Sequence, residues 1–282
     1  MPIANVRGVN LNYEVLGHGG PWIALSPGGR RALDNVRPLA QRLADAGYRV
    51  LIHDRRNCGV SDIVIGADRS EYEVWADDLD ALLSQLKAQP AVVGGSSSGC
   101  RLSVLFALKY PHAVRALLLW RVTGGPFAAR RLTENYYDKY VRAAQAGGMQ
   151  AVCALDHFKE RIEARPDNRA ALMAIDPDAF IAAMTSWREQ FAAGAALPII
   201  GASETDLNSI KVPTCIIPGN DKTHSHAIAE AAHRMIPGSE LHDLFPGDQD
   251  IDLVPAEDWA PKEGEMAAVF VDFLRRRQAK AA

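Results

Sequence analysis

The chain has 282 residues, with 48% hydrophobic residues, 23% charged residues and a formal net charge of −3. That length can bury a core without disulfide or metal staples, and the balance is that of a soluble globular protein. The slight net acidity, and the lack of any basic run interleaved with aromatics, exclude an electrostatic case for nucleic acid or an anionic membrane as partner.

No apolar stretch approaches the ~20 residues that span a bilayer, and residues 1–10 lack a cationic region followed by an apolar one, so a cytoplasmic protein is expected. Cys58, Cys100, Cys153 and Cys215 are too widely spaced for a zinc knuckle or a disulfide scaffold, which points to reduced thiols. The eight histidines form no metal-ligand pattern. No metal and no cofactor are expected. The partner is a small-molecule substrate, and nothing in the composition opposes a homo-oligomer.

In chain order, Trp22-Ile23-Ala24-Leu25 reads as a buried strand ending in Ser26-Pro27-Gly28-Gly29. A helix is expected over 34–46, stopped by Gly47, where a left-handed helix end suits glycine. Residues 49–53 form the next strand. Ser70-Glu71-Tyr72-Glu73 reads as a capping box. It opens a helix with Leu79, Leu82, Leu83 and Leu86 on one stripe. Pro90 breaks that helix, and the strand 91–93 runs into Gly95-Ser96-Ser97-Ser98-Gly99. A helix over 98–109 and a strand over 116–120 follow. Short continuous apolar strands separated by helices imply a mostly parallel sheet covered on both faces.

Residues 123–209 read as helical, and strand character returns at Thr214-Cys215-Ile216-Ile217. The expected domains are therefore a core over 1–122 and 210–282, with a helical cap, or lid, inserted over 123–209. A last strand is expected over 240–245. The closing helix carries Met266, Val269, Phe270, Phe273 and Leu274 on one face.

The pattern Gly-x-Ser-x-Gly carries weight here because a buried strand precedes it and an apolar helix follows, as a nucleophile elbow requires. Only Ser97 lies between the two glycines at that spacing. Its oxygen would stand at a helix N-terminus, where free N–H groups favour developing negative charge.

On these residues the chain resembles the α/β-hydrolase family with a helical cap, of the proline iminopeptidase, epoxide hydrolase and C–C hydrolase type. Residues 10–17 resemble its first hairpin, and Asp54-Arg55-Arg56-Asn57-Cys58-Gly59-Val60-Ser61-Asp62 resembles its loop after the next strand, with Asn57 in place of a usual glycine. Gly219-Asn220-Asp221 resembles the turn that presents the catalytic acid. The resemblance implies an α/β-hydrolase fold, with Ser97 as nucleophile and Asp221 as acid. It also implies an oxyanion hole from the N–H of Ser98 and one from the loop after Leu25. Proline has no N–H, which points to Gly28 or Gly29.

The resemblance also implies a histidine in the loop after the last strand. That loop, Pro246-Gly247-Asp248-Gln249-Asp250-Ile251-Asp252-Leu253-Val254-Pro255, holds none, and no histidine follows His242. Three sources of a base stand open. His224, three residues beyond Asp221, is the first candidate. His226 is a weaker one, His157 in the cap would have to reach down, and His53 and His242 read as structural. An aspartate of 248–252 is the second source, if crowding raises its pKa. The third outcome is no acyl transfer. The expected activity is hydrolysis of a small ester, lactone or related carbonyl compound by a serine hydrolase. The alternatives are changed chemistry on the same fold, as a lyase or cofactor-free enzyme, and a non-catalytic ligand binder.

Other side chains at this end of the sheet read more plainly. Cys58 and Cys100 read as packing residues. Arg30, Arg31, Arg55 and Arg56 read as surface charge, with reception of a substrate carboxylate as the rival reading. Tyr136, Tyr137 and Tyr140 line either a pocket or the cap core.

Overall fold

The structure is a computed structural model that describes residues 2–245 and 247–279. Pro246, part of the loop expected after the last strand, lies outside the described residues. The strands are β1 (Ile3–Val6), β2 (Val9–Leu16), β3 (Trp22–Ser26), β4 (Arg49–His53), β5 (Ala91–Ser96), β6 (Val114–Trp120), β7 (Thr214–Ile217) and β8 (Glu240–Leu241). They form one sheet in the order β1-β2-β4-β3-β5-β6-β7-β8. β1 and β2 join it antiparallel, and from β4 through β8 all pairings are parallel. This is the α/β-hydrolase fold that the sequence pattern implies.

The helices are α1 (Arg37–Asp45), α2 (Glu71–Gln85), α3 (Ser98–Lys109), α4 (Gly125–Thr133), α5 (Lys139–Cys153), α6 (Asp156–Ala164), α7 (Asp167–Met173), α8 (Pro177–Ala193), α9 (Glu204–Ser209), α10 (His226–Met235) and α11 (Glu263–Ala279). Successive strand residues point to opposite faces and feed two cores. Leu51, Val93, Leu117 and Leu119 join the layer holding α2 and α3, whereas Val50, Ile52, Val92, Leu118 and Trp120 join the layer holding α1 and α11. The central strands β3 to β7 are buried on both faces because each face is covered. α4 through α9 all fall between β6 and β7, as one helical segment. Among the described residues, no helix is long and apolar enough to cross a membrane.

Local expectations mostly hold. Ser70 accepts from the Glu73 N–H at 3.1 Å, and the Glu73 carboxylate accepts from the Ser70 N–H at 3.3 Å. The helix expected over 34–46 instead begins with a 3-10 turn, Leu33–Val36, ahead of α1, with Pro38 in the first turn of the α-helix. The strand expected over 240–245 stops at Leu241. Past that point the Asp243 carboxylate accepts from the Phe245 N–H at 3.0 Å, a local turn that competes with the ladder. Phe245 leaves the sheet edge to pack on Trp259, ring centroids 4.2 Å apart.

The close approach of β5 and α3 depends on glycine. A Cβ on Gly99 would lie 2.1 Å from the Ser26 carbonyl oxygen, and one on Gly95 would lie 2.4 Å from the Gly99 carbonyl carbon. These obstacles are backbone and cannot swing away. Gly95→Ala and Gly99→Ala are each expected to cost at least the ~3 kcal/mol at the upper end of overpacking. The denaturant midpoint at unchanged m-value measures this.

Candidate active site

Parallel strands bring the loops after β3, β5, β6 and β7 to one edge of the sheet, where sites form in such folds. Ser97 leaves β5 at φ 53°, ψ −109°, a left-handed, strained conformation for a serine. It caps α3, and Ser98 is the first helical residue, whose N–H has no partner one turn back.

The loop after β7 carries Asp221 and His224. The His224 backbone N–H donates to Asp221 Oδ1 at 2.8 Å, and His224 Nδ1 lies 3.0 Å from the same oxygen. His224 Nε2 lies 2.8 Å from Ser97 Oγ. With the Nδ1 proton directed at the carboxylate, the other ring nitrogen is free to accept from the Ser97 hydroxyl. Gly219 makes this turn possible, since a Cβ there would lie 2.2 Å from the His224 carbonyl oxygen.

Asp221 is fully buried. Burial opposes its ionisation, but His224, the Val254 N–H and Arg121 outweigh that and hold its pKa below the usual carboxylate value. Val254 N donates to Oδ2 at 2.9 Å, and Arg121 Nη2 donates to it at 3.0 Å. Burial lowers the His224 pKa, Asp221 pulls it back up, and Arg121 and Arg131 push it down, leaving it below the ordinary imidazole value. The ring is therefore neutral near pH 7.

Two residues near Ser97 escape sequence reasoning. Thr123 Oγ1 lies 3.0 Å from Ser97 Oγ. Arg121 follows β6 at φ 52°. A generic Arg-Val-Thr after a strand marks neither. Gly28 and Gly29, the expected second source of an oxyanion N–H, line the same pocket as Ser97 and His224. A Cβ on Gly28 would touch the Ser97 Cβ at 3.4 Å.

The other base candidates lie elsewhere. Asp250 is exposed and pairs with Lys222 at 2.7 Å, which lowers its pKa where crowding was expected to raise it. Asp248 accepts from the His226 N–H at 2.8 Å, and the Asp252 carbonyl accepts from the Thr223 N–H at 3.2 Å. His226 Nε2 faces Asp243 at 3.1 Å, and His242 faces Glu240 at 3.3 Å. His157 is stacked on Tyr140, ring centroids 5.8 Å apart. His53 is buried, in keeping with a structural role, although its Nδ1 has no hydrogen-bond partner among the described residues. Burial raises the pKa of Cys100, and burial with a smaller push from Glu71 raises that of Cys58 despite the arginines around it, in keeping with packing roles.

The surface reading of the arginines needs correction. Arg30 and Arg55 are 7% and 1% exposed. Arg30 pairs with Glu71 at 3.0 Å and lies over the rings of Tyr136, Tyr137 and Tyr140. Arg55 lies over Trp75 and donates to the Gly29 carbonyl at 2.6 Å. Arg56 pairs with Asp78 at 2.9 Å. Weakly hydrated guanidinium groups tolerate burial when stacked and paired. Of the four, Arg31 alone is exposed. The tyrosines divide: Tyr137 and Tyr140 are core, and Tyr136 borders the pocket.

The family model described as alpha/beta hydrolase fold matches residues 16–124. Together with the sheet described above, that match shows the α/β-hydrolase fold. The uncharacterized hydrolase YraK of Bacillus subtilis is 33% identical over 113 residues, covering 40% of this chain and 41% of that protein. A proline iminopeptidase of Saccharolobus solfataricus is 34% identical over 142 residues, 48% of this chain and 42% of its own. The chain thus spans about two fifths of the length of these relatives. Among solved structures, the enol-lactonase from Burkholderia xenovorans LB400 aligns over 97% of this chain and 100% of its own, with a TM-score of 0.66 and 21% identity, a likeness of fold.

Three histidines, His53 and His224 buried and His157 half-buried, contribute to the acid stability. Burial lowers the pKa of His53 to about 3, and lowers His157 and His224 below the ordinary value. Below about pH 6.5 the unfolded chain takes up protons that the native one refuses, so stability falls with pH by up to ~1.4 kcal/mol per unit for each histidine. The His53 share continues to be lost down to about pH 3. Melting temperature measured by calorimetry is expected to be flat from pH 7 to 8 and to drop from pH 6 to 4. His157→Phe, which keeps a ring against Tyr140, should flatten that slope.

Proposed function

We propose that the protein is a serine hydrolase of small carboxylic esters or lactones, with Ser97 as nucleophile, His224 as base and Asp221 as the residue that orients the base. One observation carries this reading: the continuous chain from Ser97 Oγ to His224 Nε2 at 2.8 Å and from His224 Nδ1 to Asp221 at 3.0 Å. Those are the contacts of a nucleophile, its base and the group that orients the base. The relatives support the same class, one being a proline iminopeptidase and a structural neighbour an enol-lactonase.

In this reading Ser97 Oγ attacks the substrate carbonyl as its proton passes to His224 Nε2. The Ser98 N–H and an N–H of Gly28 or Gly29 receive the oxyanion. The imidazolium, steadied by Asp221, returns the proton to the leaving alcohol, and an acyl-serine remains. Water then attacks the acyl group, giving its proton to His224, and the serine is released with the carboxylic acid. The site needs no metal or redox group for these steps. Residues 123–209 form the cap over the pocket. His224 takes the base role that the loop over 246–255 leaves unfilled, which removes the motive for a lyase or a non-catalytic binder.

A fluorophosphonate probe is expected to label the wild-type protein on Ser97, as read by peptide mass spectrometry, and to leave Ser97→Ala unlabelled. Hydrolysis of p-nitrophenyl esters should fall at least ~10³-fold in Ser97→Ala and in His224→Ala. Asp221→Asn should fall less. The rate should lose activity as pH drops through the His224 titration, below about 6.5. Full turnover in Ser97→Ala would remove the acyl-enzyme.

A further inference from the structure

The pocket beside Ser97 carries charge of one sign. Arg31, Arg121 and Arg131 line it with Ser97, Thr223, His224 and Tyr136, and among the described residues no aspartate or glutamate does. Arg121 is partly committed. Its Nη2 donates to Asp221 and to the Val254 carbonyl at 2.7 Å, while its buried Nε has no partner.

Arg31 and Arg131 are different from the arginines around them. Arg30, Arg55, Arg56, Arg161 and Arg165 each hold a carboxylate, a carbonyl or an aromatic face. Among the described residues, neither Arg31 nor Arg131 has an ion pair, a side-chain hydrogen bond or a ring contact. Arg31 is exposed, but Arg131 is half-buried, on the last turn of α4. Both act on the site through space: Arg131 on His224, and Arg31 on Arg121. Like charges gathered in a concave site repel one another, and an anion entering it removes that repulsion.

We propose that Arg31 and Arg131 form a carboxylate-binding subsite beside Ser97, and that the substrate is an ester or lactone bearing its own free carboxylate. The proposal rests on the serine-hydrolase reading for its reaction and on the unpaired arginines for its specificity. A guanidinium fork matches a carboxylate with two parallel hydrogen bonds, so it fixes direction as well as charge. The bound anion has a second effect. Proton transfer from Ser97 makes His224 a cation among cations, and a carboxylate nearby offsets that cost. Binding energy from a remote group thereby lowers the barrier at the reacting one.

The test compares p-nitrophenyl hexanoate with mono-p-nitrophenyl adipate, whose chains match in length and differ in the terminal carboxylate. The wild-type protein is expected to favour the adipate ester by at least ~10-fold in kcat/KM. That ratio should collapse in Arg131→Gln and in Arg31→Gln, and recover in part in Arg131→Lys. A structural role for the arginines would lower both esters together and leave the ratio standing. A wild-type ratio near one, or a ratio that survives both substitutions, overturns the subsite.

Calorimetric titration of Ser97→Ala with free adipate reads the subsite without turnover. Binding that weakens ~10-fold or more when Arg131→Gln is added supports it. No binding, or binding indifferent to both arginines, overturns it. If neither ester is cleaved but adipate binds through the arginines, the hydrolase reading fails and the subsite stands.

Discussion

A fully buried carboxylate must be saturated with donors or it will not stay ionised, and Asp221 meets that demand with four. The backbone and ring of His224 come from its own turn, the Val254 N–H from the chain after β8, and Arg121 from the exit of β6. One charge therefore ties three loops together at the edge of the sheet where Ser97 emerges. Without it, Arg121 would be left as an uncompensated buried cation. The His224 ring would lose the partner that fixes its tautomer and its aim at Ser97.

Asp221 and His224 share one turn and bond to each other within it. The Gly219 backbone runs against His224 with no room for a side chain, so the chain folds back at once and the ring swings toward Ser97. The loop over 248–254, which holds no histidine, clamps this turn. Lys222 N donates to the Ile251 carbonyl at 3.0 Å, Thr223 N donates to the Asp252 carbonyl at 3.2 Å, and Gln249 N donates to the Asn220 carbonyl at 2.8 Å. Its aspartates serve the same end: Asp248 fastens the His226 N–H, and Asp250 pairs with Lys222.

What could be read from sequence followed from how local each cause is. The elbow was legible because strand, glycine spacing and helix are contiguous in Ala91–Lys109, although the backbone that Gly99 lies against belongs to Ser26 in another strand. Asp221 was legible by its place after an apolar strand. His224 could be named as a candidate, but its contact with Ser97 could not be read, because it rests on a turn geometry set by Gly219 and on clamping from thirty residues away. The arginines misled for the same reason. Arg30 is separated from Glu71 by 41 residues, and Arg55 from its Gly29 acceptor by 26, so nothing near them in the chain announced burial.

Those buried arginines fasten the helical segment to the sheet. Arg161 on α6 donates to the Asn57 carbonyl at 3.3 Å and also to that of Arg30. Arg101 on α3 donates to the Ile200 carbonyl, and Trp187 on α8 donates to the Arg69 carbonyl at 2.9 Å. Unlike an apolar seam, such directional bonds fix the registration of the helices over the site, since each acceptor has one address. Against these engaged guanidinium groups, Arg31 and Arg131 stand out as two with no side-chain contact among the described residues. Arg31 enters the pocket from the loop after β3 and Arg131 from α4, one from each side of the same seam. Because the seam is held in register by the buried arginines, the backbones that carry this unpaired pair are placed before any anion arrives. A carboxylate subsite built this way has to order two side chains on binding but no loop, and the contact energy left after that is what a remote group can contribute to catalysis.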